Sequence, residues 1–250
     1  MRSESEVDTP NRFHRRLLAL VCLAFAATAG WYSIQIPAGE GVDETPHFAY
    51  VRFVKEQRAL PIQPMERKGV EVWMGHHPPL YYLLGGLVTS WIDTSDFQQV
   101  LRPNPHFVWA ENSGSNGWNV MLHFGQDIFP WRGAILALHV MRWLSVAFGM
   151  VAVIAIYNTT RYLLPDYRWA PLGATSLVAF NPSFLFMSST VHHDVLLTAI
   201  YSLGLWWAAR AVKVPLHKRD LWIGGLLAGA AALTKLSGVT LVAVMGLALV

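Results

Sequence analysis

Two adjacent carboxylates, Asp43 and Glu44, follow the first apolar run of the chain, and His47 comes three residues after them. With Thr45 as its N-cap, an amphipathic helix at the membrane surface is predicted from here to about Arg58. The helix dipole favours ionised carboxylates at such an N-terminus, and an ionised carboxylate can act as a general base. The pattern therefore indicates an acidic site with general-base chemistry. The alternative is that the two acids only cap the helix.

A histidine pair, His76 and His77, opens a short apolar segment later in the same region, which is predicted to be re-entrant or to lie on the surface. Together with Asp43, Glu44 and His47, these side chains have the ligand chemistry for a divalent metal. No His-x-x-x-His spacing accompanies them, so helix capping or substrate contact is favoured. A divalent metal stays a possible cofactor.

Three charged residues, Arg142, Asp194 and Lys235, lie within or at the ends of later apolar runs. A charge at the centre of a spanning helix costs about 2.5–3.5 kcal/mol on insertion scales, so its presence needs a reason. Lys235 lies deep in its run, whereas Arg142 could snorkel from a helix end and Asp194 could cap a helix. All three are candidate functional residues, each with its own structural alternative.

The composition indicates the membrane as the solvent of these runs. The 250 residues are 53% hydrophobic and 14% charged, which is unusual for a soluble domain. The net charge of +3 comes from basic residues at the ends of apolar runs rather than from one patch, so nucleic acid is not expected as a partner. The single cysteine, Cys22, excludes a disulfide framework and a thiolate metal cluster within the chain.

The spacing of the apolar runs predicts an all-α membrane protein with five or six transmembrane helices. The runs cover residues 17–36, 136–164, 170–187, 195–212 and 221–250. The last is predicted to break near Lys235, and Asn181 before Pro182 is predicted to kink the third.

Basic residues around the runs set the predicted topology. Residues 1–16 form a cytoplasmic tail and residues 17–36 the first span. Residues 37–133 form a long extracytoplasmic loop with interfacial helices and the active site. Residues 134–250 form a bundle of further spans, and we expect the full protein to continue beyond them. The protein is placed in the cytoplasmic (plasma) membrane, with a cleaved signal peptide as the alternative for the first run.

These features resemble the GT-C membrane glycosyltransferases that take a sugar from a polyprenyl-phosphate carrier, notably protein O-mannosyltransferases and lipid A aminoarabinose transferases. The resemblance rests on Asp43-Glu44 and His47, His77-Pro78-Pro79-Leu80, Arg142, Asp194, Gly225 and Gly229, and Thr234-Lys235 followed by Gly238. In the mannosyltransferases the first pattern is Asp-Glu-x-His, whereas here two residues separate Glu44 from His47.

The resemblance implies a role for each candidate. Asp43 would deprotonate the acceptor hydroxyl or amine, and Glu44 would help to position it or hold an ion. Arg142 and Lys235 would stabilise the departing polyprenyl phosphate. Contacts to the substrates are implied for a further set, namely His47, His77 and Asp194. The implied partners are a polyprenyl-phosphate sugar, an extracytoplasmic protein, lipid or glycan acceptor, and membrane lipid.

Motifs that bind nucleotides are missing from the sequence: it has no Gly-rich phosphate loop and no Asp-x-Asp. A lipid-linked donor is therefore favoured over a nucleotide sugar. The alternatives to an enzyme are a membrane transporter and a non-catalytic membrane subunit or fragment. A transporter would be expected to carry inverted repeats and charges at mid-bilayer depth, and no repeat is apparent.

Overall fold

The computed structural model describes residues 12–62, 72–105, 107, 119–123 and 125–249. Its α-helices are α1 (Arg12–Gln35), α2 (Glu44–Gln57), α3 (Leu80–Val88), α4 (Phe97–Val100), α5 (Gly133–Leu163), α6 (Ala170–Ala179), α7 (Pro182–Ser188), α8 (His193–Lys213), α9 (Lys218–Thr234) and α10 (Thr240–Leu247). Two-residue strands β1 (Arg102–Pro103) and β2 (Met121–Leu122) pair antiparallel, and 3-10 turns cover Gly125–Asp127 and Leu236–Val239. The predicted all-α membrane architecture is confirmed.

Helices long and apolar enough to cross a bilayer are α1, α5 and α8 in the described part of the chain, and α6 with α7 makes a fourth if the bent pair is one span. The prediction of five or six spans is higher because it counted residues 221–250 as one or two. A break at Lys235 leaves α9 with 17 residues and α10 with 8, both below the roughly 20 that span hydrocarbon.

The long helix α5 lies at the centre of the bundle and packs against α1, α6, α7 and α8. Its buried face carries Ile135, Leu138 and Met141. On α1, by contrast, Leu23 and Trp31 are exposed, as expected of a helix face in contact with lipid. The site described below lies where α2 and α3 cover one end of this bundle.

Helices α2 and α3 pack against each other, and α3 also packs against α5, α8 and α9. Gly85 permits this contact, because a Cβ at that position would lie 2.8 Å from side-chain atoms of both Met141 and Val51. The apolar face of α2 is buried through Phe48 and Val51, while Arg52 and Glu56 pair on its other face. The amphipathic helix predicted for this segment is therefore present.

The predicted N-cap of α2 is wrong. The helix begins at Glu44, one residue before Thr45, and the cap position belongs to Asp43 in a left-handed conformation with φ of 51°. The Asp43 side chain makes no capping hydrogen bond. A non-glycine residue rarely adopts this conformation, so surrounding contacts must hold it.

Both predicted breaks in the later apolar runs are confirmed. The pair α6 and α7 bends by 63° at Asn181, whose side chain accepts a hydrogen bond from the backbone N–H of Phe184 at 3.1 Å. The run beyond residue 221 breaks at Lys235, the C-cap of α9. The following 3-10 turn lies so close to α9 that a Cβ at Gly238 would meet the carbonyl oxygen of Ala231.

Two glycines from the family resemblance do not make the contacts expected of them. Gly225 and Gly229 suit close helix packing by their spacing. A Cβ at either position would meet no atom within 4 Å among the described residues. Close approaches occur instead at Gly204, beside Leu241, and at Gly224, beside Trp207.

Candidate active site

A fully buried ion pair joins Glu44, the first residue of α2, to Arg142 in the first third of α5. The Arg142 Nε donates to Glu44 Oε1 at 2.8 Å, and Nη2 donates to Oε2 at 2.6 Å. Both side chains are 0% exposed. Such bidentate pairing fixes the guanidinium and the carboxylate in one plane.

The remaining donors of Arg142 bind the end of α1. Nη1 donates to the carbonyl oxygens of Ser33 at 2.8 Å and Ile36 at 2.6 Å, and Nη2 donates to Pro37 at 2.9 Å. A guanidinium has five N–H groups, and these bonds use all of them. In this structure Arg142 therefore has no donor left for the phosphate contact that the resemblance implies.

Glu44 is equally committed to its surroundings. Besides Arg142, its carboxylate accepts the backbone N–H groups of Gly39 at 3.1 Å, Gly41 at 3.3 Å and Val191 at 2.9 Å. It thus links α2, α5 and the segment that leads into α8. These contacts explain why α2 begins at Glu44 rather than at a Thr45 cap.

Asp43 differs from its neighbour because its side chain is exposed. Burial lowers the pKa of His192, and the negative charge of Asp43 is among the opposing influences that raise it. The Asp43 carboxylate therefore lies within electrostatic reach of the residues that precede α8. An exposed carboxylate beside a buried polar cluster is free to meet a ligand.

That cluster consists of three buried imidazoles, His47, His192 and His193. One nitrogen of each lies within 4.8 Å of the others. The Nε2 of His47 is 3.3 Å from Nδ1 of His193, and the Nδ1 of His47 is 2.8 Å from the Tyr82 hydroxyl. Neither His193 nor Tyr82 was predicted from the sequence as a partner of His47. The two adjacent histidines before Asp194 were the local pattern that could have indicated this cluster.

His77 extends the cluster toward solvent. Its ring centroid is 4.4 Å from that of His193 and 5.9 Å from that of His47. Partial burial and the neighbouring His76 lower the pKa of His77 to about 4. Burial also lowers the pKa of His47 far below its usual range, with further lowering from His192 and His193.

A second ion pair, Lys235 with Asp194, lies beside these imidazoles. The ammonium donates to Asp194 Oδ1 at 2.7 Å, and the two side chains are 32% and 37% exposed. The charge of Lys235 contributes to the low pKa values of His47 and His77, so it lies within electrostatic reach of both. Among the described residues the ammonium has one hydrogen-bond partner, which leaves donors for a ligand.

A further group of hydrogen-bonded side chains holds the segment between β2 and α5 in place. His123 lies between Glu40 Oε1 at 2.8 Å and Asp127 Oδ2 at 2.7 Å. Glu40 also accepts the backbone N–H groups of Val120 and Met121. These bonds hold the described part of the loop against the residues just before Asp43.

Comparisons with known proteins agree with this architecture. Residues 134–250 match the family model described as dolichyl-phosphate-mannose-protein mannosyltransferase. The S. cerevisiae protein O-mannosyltransferase Pmt1–Pmt2 complex bound to the sugar donor is similar in structure, with a TM-score of 0.56 and 18% identity. The chain has the GT-C fold. No curated protein matches its sequence.

The two matches differ in how much of the chain they cover. The family model covers the region of Arg142, Asp194 and Lys235, whereas the structural match covers 90% of the chain. Our chain spans about a quarter of the yeast chain, of which 26% is covered. The resemblance predicted from the sequence is confirmed at the level of family model and fold.

The GT-C fold brings most of the predicted site residues together. One group forms at the surface of the cluster, namely Asp43, His77, Asp194 and Lys235, with His47 buried beside it. Glu44 and Arg142 instead form the buried support beneath. The role of each residue in a reaction stays a prediction.

Proposed function

We propose that this protein is part of a membrane glycosyltransferase that moves a sugar from a polyprenyl-phosphate carrier to an acceptor. The family model matched by residues 134–250 favours mannose as the sugar and a protein as the acceptor. The fold, shared with a donor-bound O-mannosyltransferase complex, supports a lipid-linked donor.

The observation that carries this proposal is the separation of two adjacent acids. Glu44 is held by Arg142 and three backbone N–H groups, whereas Asp43 is exposed next to the histidine cluster. Of these two acids, Asp43 is the one whose carboxylate is free for proton transfer. It would take the proton of the acceptor O–H as the acceptor oxygen bonds to the anomeric carbon and the bond from that carbon to the phosphate oxygen breaks.

Lys235 is the cation that we assign to the departing phosphate. Its ammonium is partly exposed and is held by Asp194 at the broken end of α9. A positioned cation stabilises the negative charge that develops on the leaving group. Arg142 would act indirectly, by holding the backbone that places Asp43.

The principal test compares Asp43→Asn with Asp166→Asn, a matched change of an exposed acid between α5 and α6. Membranes containing each variant would be given radiolabelled polyprenyl-phosphate mannose and, in parallel, the aminoarabinose donor. We expect Asp43→Asn to lower transfer by about 10²–10⁴-fold with unchanged protein level, and Asp166→Asn to retain it. Full transfer by the Asp43 variant would exclude the proposed base.

The proposed site faces the extracytoplasmic side. Val42 is 53% exposed, and Cys22 is the single cysteine of the chain, so a Val42→Cys change in a Cys22→Ser background gives one surface reporter. A membrane-impermeant maleimide should label it in intact cells. Labelling only after the cells are opened would place Asp43 on the cytoplasmic side and contradict the mechanism.

A further inference from the structure

Basic side chains gather at the end of the bundle that lies opposite the candidate active site. Helix α8 begins beside that site at His193 and ends at Lys213, and its 21 residues are long enough to cross a bilayer. The turn from α8 to α9 therefore lies at the other membrane surface. The positions from 210 to 220 hold four cationic side chains and one acid, namely Arg210, Lys213, Lys218, Arg219 and Asp220.

A cleft of about 430 Å³ opens at this turn. Its volume lies within the range of about 300–1,000 Å³ that is usual for small-ligand sites. Its walls come from the end of α8, the turn and the start of α9, namely Arg210, Val214, Pro215, His217, Arg219 and Asp220. Two guanidinium groups therefore line one small space.

The two arginines of the cleft have different surroundings. Arg210 Nη1 is 2.9 Å from Asp220 Oδ1, and Asp220 also accepts the backbone N–H of His217 at 2.8 Å and the Trp207 Nε1–H at 2.7 Å. These bonds fix one wall of the cleft. Arg219 is exposed and makes no hydrogen bond or ion pair with another described residue. Its guanidinium can therefore donate two N–H groups to one phosphate.

Exposed apolar side chains on both helices place the cleft at the depth of the lipid headgroups. Val212 on α8 is 60% exposed, and Trp222 on α9 is 76% exposed. Tryptophan is typical of the boundary between headgroups and hydrocarbon. Leu226, one turn further along α9, is 71% exposed and would face acyl chains. A soluble phosphate gains nothing from such apolar surface, so charge and position together favour a membrane lipid.

We propose that this cleft binds the phosphate headgroup of an anionic phospholipid. Basic pockets between spanning helices suit such headgroups, because they combine positive charge with access to the bilayer. Arg219 would bind the phosphate oxygens, and Lys218 would add positive charge from the same turn. The bound lipid would hold the ends of α8 and α9 together. The site lies at the membrane surface away from Asp43, so it does not depend on the proposed sugar transfer.

Membrane topology is the competing account of these cations, because basic residues are generally retained on the cytoplasmic side. The turn between α5 and α6 lies at the same membrane surface and offers a comparison. There Arg161 lies over the Tyr157 ring at 6.0 Å, and Arg168 lies over the Trp169 ring at 5.4 Å. These guanidinium groups contact aromatic rings, whereas Arg219 lines a cleft. A topology signal alone predicts that removing either Arg168 or Arg219 has the same effect on lipid binding.

The direct test is native mass spectrometry of the full chain in a neutral detergent, titrated with dioleoylphosphatidylglycerol and, separately, with dioleoylphosphatidylcholine. The wild type should bind the anionic lipid about 10-fold more tightly. Arg219→Gln should weaken this binding about 5-fold, and the double variant with Lys218→Gln about 25-fold. Arg168→Gln is the matched control, because it removes one exposed cation at the same surface and should keep the wild-type affinity. Equal weakening by Arg168→Gln and Arg219→Gln would overturn the site.

A second measurement separates a lipid from a soluble phosphate. Thermal unfolding of the wild type and of Arg219→Gln would be followed in detergent with added dioleoylphosphatidylglycerol, glycerol 1-phosphate or inorganic phosphate. The lipid should raise the unfolding temperature of the wild type but not that of the variant, and the two soluble phosphates should raise neither. Equal stabilisation by inorganic phosphate and by lipid would contradict a lipid site, as would no stabilisation by the lipid. Because neither readout needs sugar transfer, failure of the proposed transferase would not affect it.

Discussion

Two ion pairs of the same charge types have opposite surroundings in this fold. Arg142 and Glu44 are completely buried, and every N–H group of the guanidinium is used. Lys235 and Asp194 are about one-third exposed and share one hydrogen bond. The first pair can only hold helices together, whereas the second can exchange its partner for a ligand. Charged residues in a membrane protein therefore need to be sorted by their free donors before a function is assigned.

The same contrast separates Asp43 from Glu44, although they are neighbours of the same chemical type. Successive residues at a helix start point about 100° apart, so one can face the core while the other faces outward. Arg142 binds Glu44, and Asp43 is left at the surface in a left-handed conformation. The buried pair thereby positions the exposed acid.

The largest expected effect comes from breaking the buried pair. Arg142→Met leaves the Glu44 carboxylate buried without its cation, and such a change costs about 3–5 kcal/mol. Thermal unfolding in detergent, followed by size-exclusion chromatography, should show a much less stable protein. The double variant Glu44→Gln with Arg142→Met should lose less than the sum of the single changes, because the buried charge is then absent. Additive losses would mean that the pair is not coupled.

A smaller effect is expected from removing the exposed cation. Lys235→Met should lower transfer from the lipid-linked donor about 100-fold, since one stabilising group for the leaving phosphate is lost. Thermal unfolding should change little, because partly exposed ion pairs contribute about 0.2–1 kcal/mol. Lys235→Arg should restore part of the rate. Full transfer by the Lys235→Met protein would show that the exposed ion pair has no role in the reaction.

The turn that carries Lys235 can be disturbed without touching the buried pair. A Cβ at Gly238 would collide with backbone atoms of Ala231, so Gly238→Ala should destabilise the protein by about 1–3 kcal/mol. Gly229→Ala is the matched control, because a Cβ there meets nothing within 4 Å in the described structure. Parallel unfolding curves of the two variants measure the difference. Equal stability would show that the close approach is not required.

The smallest effect is expected for the stability of Asp194→Asn. The variant keeps the shape of the side chain and loses one partly exposed ion pair, which corresponds to about 0.2–1 kcal/mol. Its unfolding temperature should lie close to that of the wild type and far above that of Arg142→Met. A loss as large as that of Arg142→Met would mean that both pairs are structural.

Local patterns predicted a large part of the fold. Apolar runs located the spanning helices to within a few residues, although α1 begins at Arg12 rather than at residue 17. The break at Lys235 and the bend at Asn181 were also evident, because proline, polar residues and small residues interrupt a run where they occur. The start of α2 was missed because Glu44 and its tertiary contacts, rather than a Thr45 cap, decide it.

Periodicity and residue type are local properties, and they are enough to predict a helical membrane protein with acids, histidines and a lysine able to do chemistry. Which of these side chains are free depends on contacts between distant parts of the chain. Glu44 and Arg142 are 98 residues apart, and His47 and His193 are 146 apart. No local pattern records such distant contacts. The contacts of α2 with α5 and α8 create them. These contacts also separate the buried pair of Glu44 and Arg142 from the exposed site.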